Sequence, residues 1–163
     1  MRYKYKKVCF GGTFDVPIHK GHKAFIRKAF EVGKFCLIGL TTEEYAAFLR
    51  KRDFDKIKPF RERKENLIKY LKSEKLSGRF EIVELGNFCD PDLMEKEGDV
   101  EAIIVSEERK WVAEEINKER KGNGFRPFDI VLVPIVLAED KVKISSGRIR
   151  SGEITKDGKI LKG

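Results

Sequence analysis

Gly11-Gly12-Thr13-Phe14-Asp15-Val16-Pro17-Ile18-His19-Lys20-Gly21-His22 is the stretch that decides how this chain folds. An apolar run, Val8-Cys9-Phe10, leads into it and reads as a buried parallel strand. A helical pattern, Ala24, Phe25, Ala29 and Phe30, leads out of it. Between them lie three glycines, one threonine and both histidines of the protein. Glycine lets backbone come close to a ligand. A helix starting near His22 aims unsatisfied N–H groups and a positive dipole end back at the loop. Strand, glycine turn and helix start together favour an anion, most often a phosphate. The loop matches neither G-x-G-x-x-G nor G-x-x-x-x-G-K-[ST], so it is a different phosphate cradle. Thr13 offers a hydroxyl at its base, and Asp15 reads as a turn residue.

Outward from this loop, apolar runs alternate with helical patterns. Phe35 to Leu40 reads as a second buried strand, and the Thr41/Glu44 spacing as a capping box that starts a helix toward Leu49. Pro59 opens a helix through Leu71, and Phe80, Ile82 and Leu85 mark a third strand. Asp90-Pro91 signals a short helix, Val100 to Val105 a fourth strand, and Ser106 the cap of a helix closed by Gly122 and Gly124. Ile130 to Val133 is a fifth strand, and Ile144 to Arg150 begins a last short helix that stops near Gly152. This βαβ spacing predicts an α/β fold: one doubly wound, Rossmann-like domain with a five-stranded parallel sheet. The domain is expected over 1–154, with 155–163 a loose polar tail. Ligands in such sheets sit beyond the carboxyl ends of the strands, where strand order reverses. That rim receives the glycine–histidine loop, Ser106 and the serine–arginine segment.

The chain has 163 residues, with 35 Lys plus Arg against 27 Asp plus Glu, a net charge of +8. That excess attracts anions without choosing among nucleotides, nucleic acid and acidic surfaces. Cys9, Cys36 and Cys89 have no metal spacing and read as buried apolar groups in a reduced cytosol. No leading signal peptide and no apolar run of membrane length appear, so a cytoplasmic protein is expected.

His19 and His22, three apart, resemble half a zinc site but have no third ligand nearby in sequence. A pair of surface histidines is the plainer alternative, weakened by the buried strand before them and the helix behind. Ser145-Ser146-Gly147-Arg148 reads either as a helix cap with an exposed arginine or as a polyphosphate holder. Arg61-Glu62-Arg63-Lys64 reads as a solvated face, whereas Arg50-Lys51-Arg52 lies where it can reach the rim.

GGTFDVPIHKGH with the downstream ISSGRIR resembles the nucleotidyltransferase superfamily marked by HxGH and ISSTxxR. A closer likeness, over nearly the whole chain, is to the phosphopantetheine adenylyltransferases of the archaeal and eukaryotic type. It is carried by FCLIGLTT (Phe35 to Thr42), KPFRERKENL (Lys58 to Leu67), IVSEE (Ile104 to Glu108) and ISSGRIRSGEI (Ile144 to Ile154). The resemblance implies adenylyl transfer from ATP to 4′-phosphopantetheine. It implies catalytic roles for Thr13, His19 and His22, with Thr13 also at the acceptor phosphate. Gly11, Gly12, Ser145, Ser146 and Arg148 would bind ATP phosphates and Lys51 the acceptor phosphate. Adenine would meet backbone near Val105 and Ser106. The family usually has threonine where this chain has Gly147.

No nucleophile–base pair is evident, and this reaction needs none: a phosphate monoester, with a second pKa of about 6, is already largely a dianion at neutral pH. Mg²⁺ is expected through the ATP phosphates, with no protein metal site. A monomer is favoured, without nucleic-acid or membrane partners. Two other readings remain: a sister enzyme of the superfamily, either a cytidylyltransferase on a phosphorylated alcohol or a nicotinamide-mononucleotide adenylyltransferase, and a basic nucleic-acid-binding module.

Overall fold

The computed structural model describes residues 2–49, 54–87 and 99–161. Five strands form one all-parallel sheet: β1 (Tyr5–Gly12), β2 (Gly33–Thr41), β3 (Phe80–Leu85), β4 (Ala102–Ser106) and β5 (Asp129–Val133). Their order is β3-β2-β1-β4-β5, so the direction of winding reverses between β1 and β4. The helices are α1 (Lys20–Val32), α2 (Glu43–Phe48), α3 (Phe60–Ser73), α4 (Lys110–Gly122) and α5 (Ser146–Arg150).

The apolar runs are explained by burial on both faces. On one face Val8, Phe10, Ile38, Leu40 and Ile104 meet Ile26, Ala29 and Phe30 of α1 and Leu67 and Leu71 of α3. Alternate residues, Leu37, Ile103 and Val105, meet Val112, Ala113 and Ile116 of α4 on the other. Passage from α1 to β2 needs Gly33, because a Cβ there would stand 2.6 Å from Val8 Cγ2.

Several boundaries differ from those read in the sequence. Thr42, not Thr41, caps α2 by accepting the Tyr45 N–H, because pairing of β2 with β3 extends through Thr41. Ser106 makes no side-chain cap; a 3₁₀ turn, Glu107–Arg109, intervenes before α4. Arg63 is no solvated residue. It is 0% exposed, donates to the carbonyls of Lys58 and Thr13 at 2.8 Å each, and faces the Phe60 ring. Nor is the tail loose through Leu161. Ile154 is buried and bridges Ile160, Gly158 packs on Ile144, and the Lys156 carbonyl accepts the Lys20 N–H at the start of α1. The Asp90-Pro91 helix and Cys89 lie outside the described residues.

Candidate active site

A cavity of about 550 Å³ opens at the carboxyl ends of the strands, at the reversal of strand order. Gly11, Gly12, Thr13, His19 and His22 line it from the first loop. Val105 and Ser106 line it from the end of β4, and Ser145 and Ser146 from the start of α5. Segments more than a hundred residues apart are thus brought to one rim. Lys51 lies outside the described residues.

The two histidines hold each other. His19 caps α1: its Nδ1 accepts the His22 N–H at 3.2 Å, and the His22 Nδ1 accepts the His19 N–H at 3.3 Å. The rings stack with centroids 3.6 Å apart. An accepting Nδ1 leaves the proton of a neutral imidazole on Nε2, so each neutral ring keeps an Nε2–H donor away from the backbone. His19 is 5% exposed. Burial, helped by the Lys143 charge, pushes its pKa down to about 4. Near neutral pH it is therefore a donor without a charge. Gly21 makes this stacking possible, since a Cβ on it would lie 2.8 Å from His19 Cε1. Phe14, with φ of 44° in the left-handed region, turns the loop so that its ring packs on Phe10 and lies 5.1 Å from the His22 ring.

The Thr13 hydroxyl is buried and has no hydrogen-bond partner among the described residues. Buried polar atoms are nearly always satisfied, so an unsatisfied one on a cavity wall marks where a ligand oxygen fits.

Asp15, read in the sequence as a turn residue, is 2% exposed and ties three segments together. Its Oδ1 accepts the N–H groups of Val16 (2.9 Å) and Lys58 (3.1 Å), and its Oδ2 pairs with Arg150 at 2.9 Å. Arg150 also lines the cavity. Arg148 is placed differently from the sequence expectation. It is not among the residues lining the cavity. Its guanidinium pairs with Asp140 and with Glu153 (2.9 Å) and donates to the carbonyls of Val142 and Lys143. The ISSTxxR spacing itself falls on Arg150, the arginine facing the cavity, and that count was the signal available. No such signal existed for Asp15, whose partners lie 43 and 135 residues away.

Among the described residues, no group of three His, Cys, Asp or Glu stands together as metal ligands. Asp15 is committed to Arg150 and backbone, and Glu108, on the cavity wall, to Lys143. Among the described residues, then, no donor set for a protein-held magnesium cage is assembled. No helix of the described chain is long and apolar enough to cross a membrane.

Residues 9–152 match the model of the cytidylyltransferase-like family. The chain is 42% identical over 162 residues to the phosphopantetheine adenylyltransferase of Pyrococcus furiosus, covering 99% of this chain and 98% of that one. A solved structure of a protein of unknown function from Archaeoglobus fulgidus is 33% identical, with a TM-score of 0.64 over 85% of this chain and 99% of that one. Tyrosyl-tRNA synthetase from Aeropyrum pernix shares the fold at 13% identity, with a TM-score of 0.65 over 88% of this chain and 57% of that one.

Proposed function

The chain belongs to the cytidylyltransferase-like family and, within it, to the phosphopantetheine adenylyltransferases, and we propose that its cavity carries out their reaction with the residues assigned below. AMP passes from ATP to the phosphate of 4′-phosphopantetheine, giving dephospho-coenzyme A and pyrophosphate in coenzyme A synthesis. The observation that carries the assignment is the meeting of His19 and His22 with Ser145 and Ser146 in one cavity.

The acceptor phosphate attacks the α-phosphorus in line. Its oxygen–phosphorus bond forms as the bond to the β-phosphate oxygen breaks. The acceptor is already a dianion near pH 7, so no general base is required. The Thr13 hydroxyl, buried and in need of a partner, holds acceptor and α-phosphate oxygens together. The neutral His19 gives its Nε2–H, and His22 its Nε2 side, to phosphate oxygens as negative charge grows during transfer. Donors fixed before reaction act without reorganisation, and removing one commonly costs about 10²–10³ in turnover. Ser145 and Ser146 take the outgoing β- and γ-phosphates, while Gly11 and Gly12 let backbone approach the chain of phosphates. Lys51 meets the acceptor phosphate. Adenine lies against backbone at Val105 and Ser106. Arg150, held by Asp15, takes the place on the cavity wall that the sequence reading gave to Arg148. Magnesium enters as part of the substrate, MgATP, and the protein acts in the cytoplasm.

The test is pyrophosphate release from the purified chain with ATP and 4′-phosphopantetheine, set against CTP and against nicotinamide mononucleotide as acceptor. Turnover restricted to the first pair supports the assignment. Preference for CTP or for the mononucleotide moves the chain to a sister activity, and tight oligonucleotide binding without turnover removes the enzyme reading. His19→Ala should lower kcat about 10²–10³-fold while changing ATP affinity far less.

A further inference from the structure

Of the charged residues on the cavity wall, Glu108, Arg109 and Lys143 have no part in the reaction as derived so far, and two of them form a pair. Lys143 immediately precedes Ile144-Ser145-Ser146, and Glu108 lies in the 3₁₀ turn after β4. Both line the cavity, and the ammonium of one pairs with the carboxylate of the other. A carboxylate facing a triphosphate site repels the ligand unless a cation neutralises it.

The backbone of Lys143 is firmly placed. It bridges Leu137, the next N–H (Ile144) donates to the Val136 carbonyl, and its own carbonyl accepts from Arg148. Its side chain is 45% exposed and that of Glu108 is 39% exposed. Such a pair is weakly held, because water competes for both charges. Arg148 is spent on Asp140, Glu153 and this same turn. Gly147 adds no hydroxyl. Lys143 stands two residues before Ser145, lines the same cavity, and is close enough to His19 for its charge to be felt there.

We propose that Lys143 binds the β- and γ-phosphates of ATP and that Glu108 is its resting counter-ion, so that the ammonium passes from carboxylate to triphosphate as the nucleotide enters. The proposal rests on the reading that His19 and Ser146 face one triphosphate. A triphosphate carries several charges against one on Glu108, so the exchange favours the nucleotide. Two consequences separate this role from a merely structural one. Loss of Lys143 weakens ligands bearing β- and γ-phosphates and spares AMP. Loss of the Glu108 charge strengthens ATP binding, because the competitor for Lys143 is gone.

Calorimetry with ATP and with AMP on wild type, Lys143→Gln, Lys143→Arg, Glu108→Gln and the Lys143→Gln/Glu108→Gln double variant of the full chain tests it. Lys143→Gln should weaken ATP about tenfold and AMP less than twofold, with Lys143→Arg largely restoring ATP. Glu108→Gln should tighten ATP about twofold to fivefold, and the double variant should bind ATP more weakly than Glu108→Gln alone. Unchanged ATP affinity in Lys143→Gln overturns the proposal, as does equal weakening of ATP and AMP, or weaker ATP binding in Glu108→Gln. Wild type that binds ATP but does not adenylylate 4′-phosphopantetheine refutes the activity and leaves these affinity ratios to decide the proposal. Wild type that binds no ATP refutes both.

Discussion

The two walls of the cavity are held by different forces. On the histidine wall, two imidazoles and two backbone N–H groups satisfy one another, and the buried His19 stays uncharged near neutral pH. On the serine wall, ion pairs do the holding: Arg148 with Asp140 and Glu153, and Lys143 with Glu108. The first arrangement fixes direction, because each Nδ1 is occupied by the other residue's N–H and neither ring can turn without losing that bond. The second fixes charge, in side chains that can change partners. Donors that must meet developing charge belong on the rigid wall, and groups that capture and release a highly charged ligand belong on the adjustable one. Asp15 joins the two, with backbone contacts on the histidine side and Arg150 on the other.

The largest effect should come from breaking that joint. Asp15→Ala takes a buried carboxylate away from Arg150 and frees the N–H groups of Val16 and Lys58. Loss of one partner of a buried pair costs about 3–5 kcal/mol, so a clear fall in Tm and at least a 10²-fold loss of kcat are expected. Wild-type melting and turnover would mean that the walls are independent.

Acid should act on the histidine wall through His19. The folded pKa of His19, about 4, lies below the ordinary value near 6.5. Between these values the unfolded chain binds a proton that the fold refuses. The stability contributed by neutral His19 is therefore complete above about pH 6.5 and is lost as pH falls toward 4, by at most about 3 kcal/mol. Denaturant titrations at pH 7 and 4.5 should show a loss in wild type that is reduced in His19→Asn.

Gly21→Ala separates placement from chemistry, since it removes no functional group. The added Cβ must move the His19 ring, and a misplacement of about 1 Å can cost 10²-fold in rate. We expect kcat to fall by about that factor with ATP affinity changed less than threefold, measured by steady-state kinetics and calorimetry. Smallest of all, Ser146→Ala should weaken ATP about tenfold, the lower end of the scale for one hydrogen bond to a charged group, with little change in kcat at saturating ATP. A kcat effect from Ser146 larger than that from Gly21 would reverse the division of labour between the walls.

What could be read in the sequence follows the same division. The histidine wall is local: strand, glycine turn, HxGH and helix lie within about thirty residues, and period and spacing reveal them. The strands beneath were equally legible, because burial on both faces leaves continuous apolar runs. The serine wall was legible as a motif but not as a geometry. Nothing in composition says that Arg148 turns toward Asp140 and Glu153 while Arg150 faces Asp15. Arg63 looked like surface charge because its neighbours are charged, yet it is buried, with Nε and Nη1 donating to the carbonyls of Lys58 and Thr13. The tail looked loose because it is polar, yet Ile154 and Gly158 pack beside Ile144 and brace the turn that leads into α5. Each misreading concerns a residue whose partners are set by how the chain turns, which its immediate sequence neighbours do not reveal.

One complex examines the central claim directly: a crystal of the chain with a non-hydrolysable ATP analogue and 4′-phosphopantetheine. The account predicts one triphosphate whose oxygens lie within hydrogen-bond distance of Nε2 of His19 or His22 and of the hydroxyl of Ser146, with the acceptor phosphate at Thr13. A triphosphate that touches only one wall, or that lies outside the cavity altogether, would contradict it.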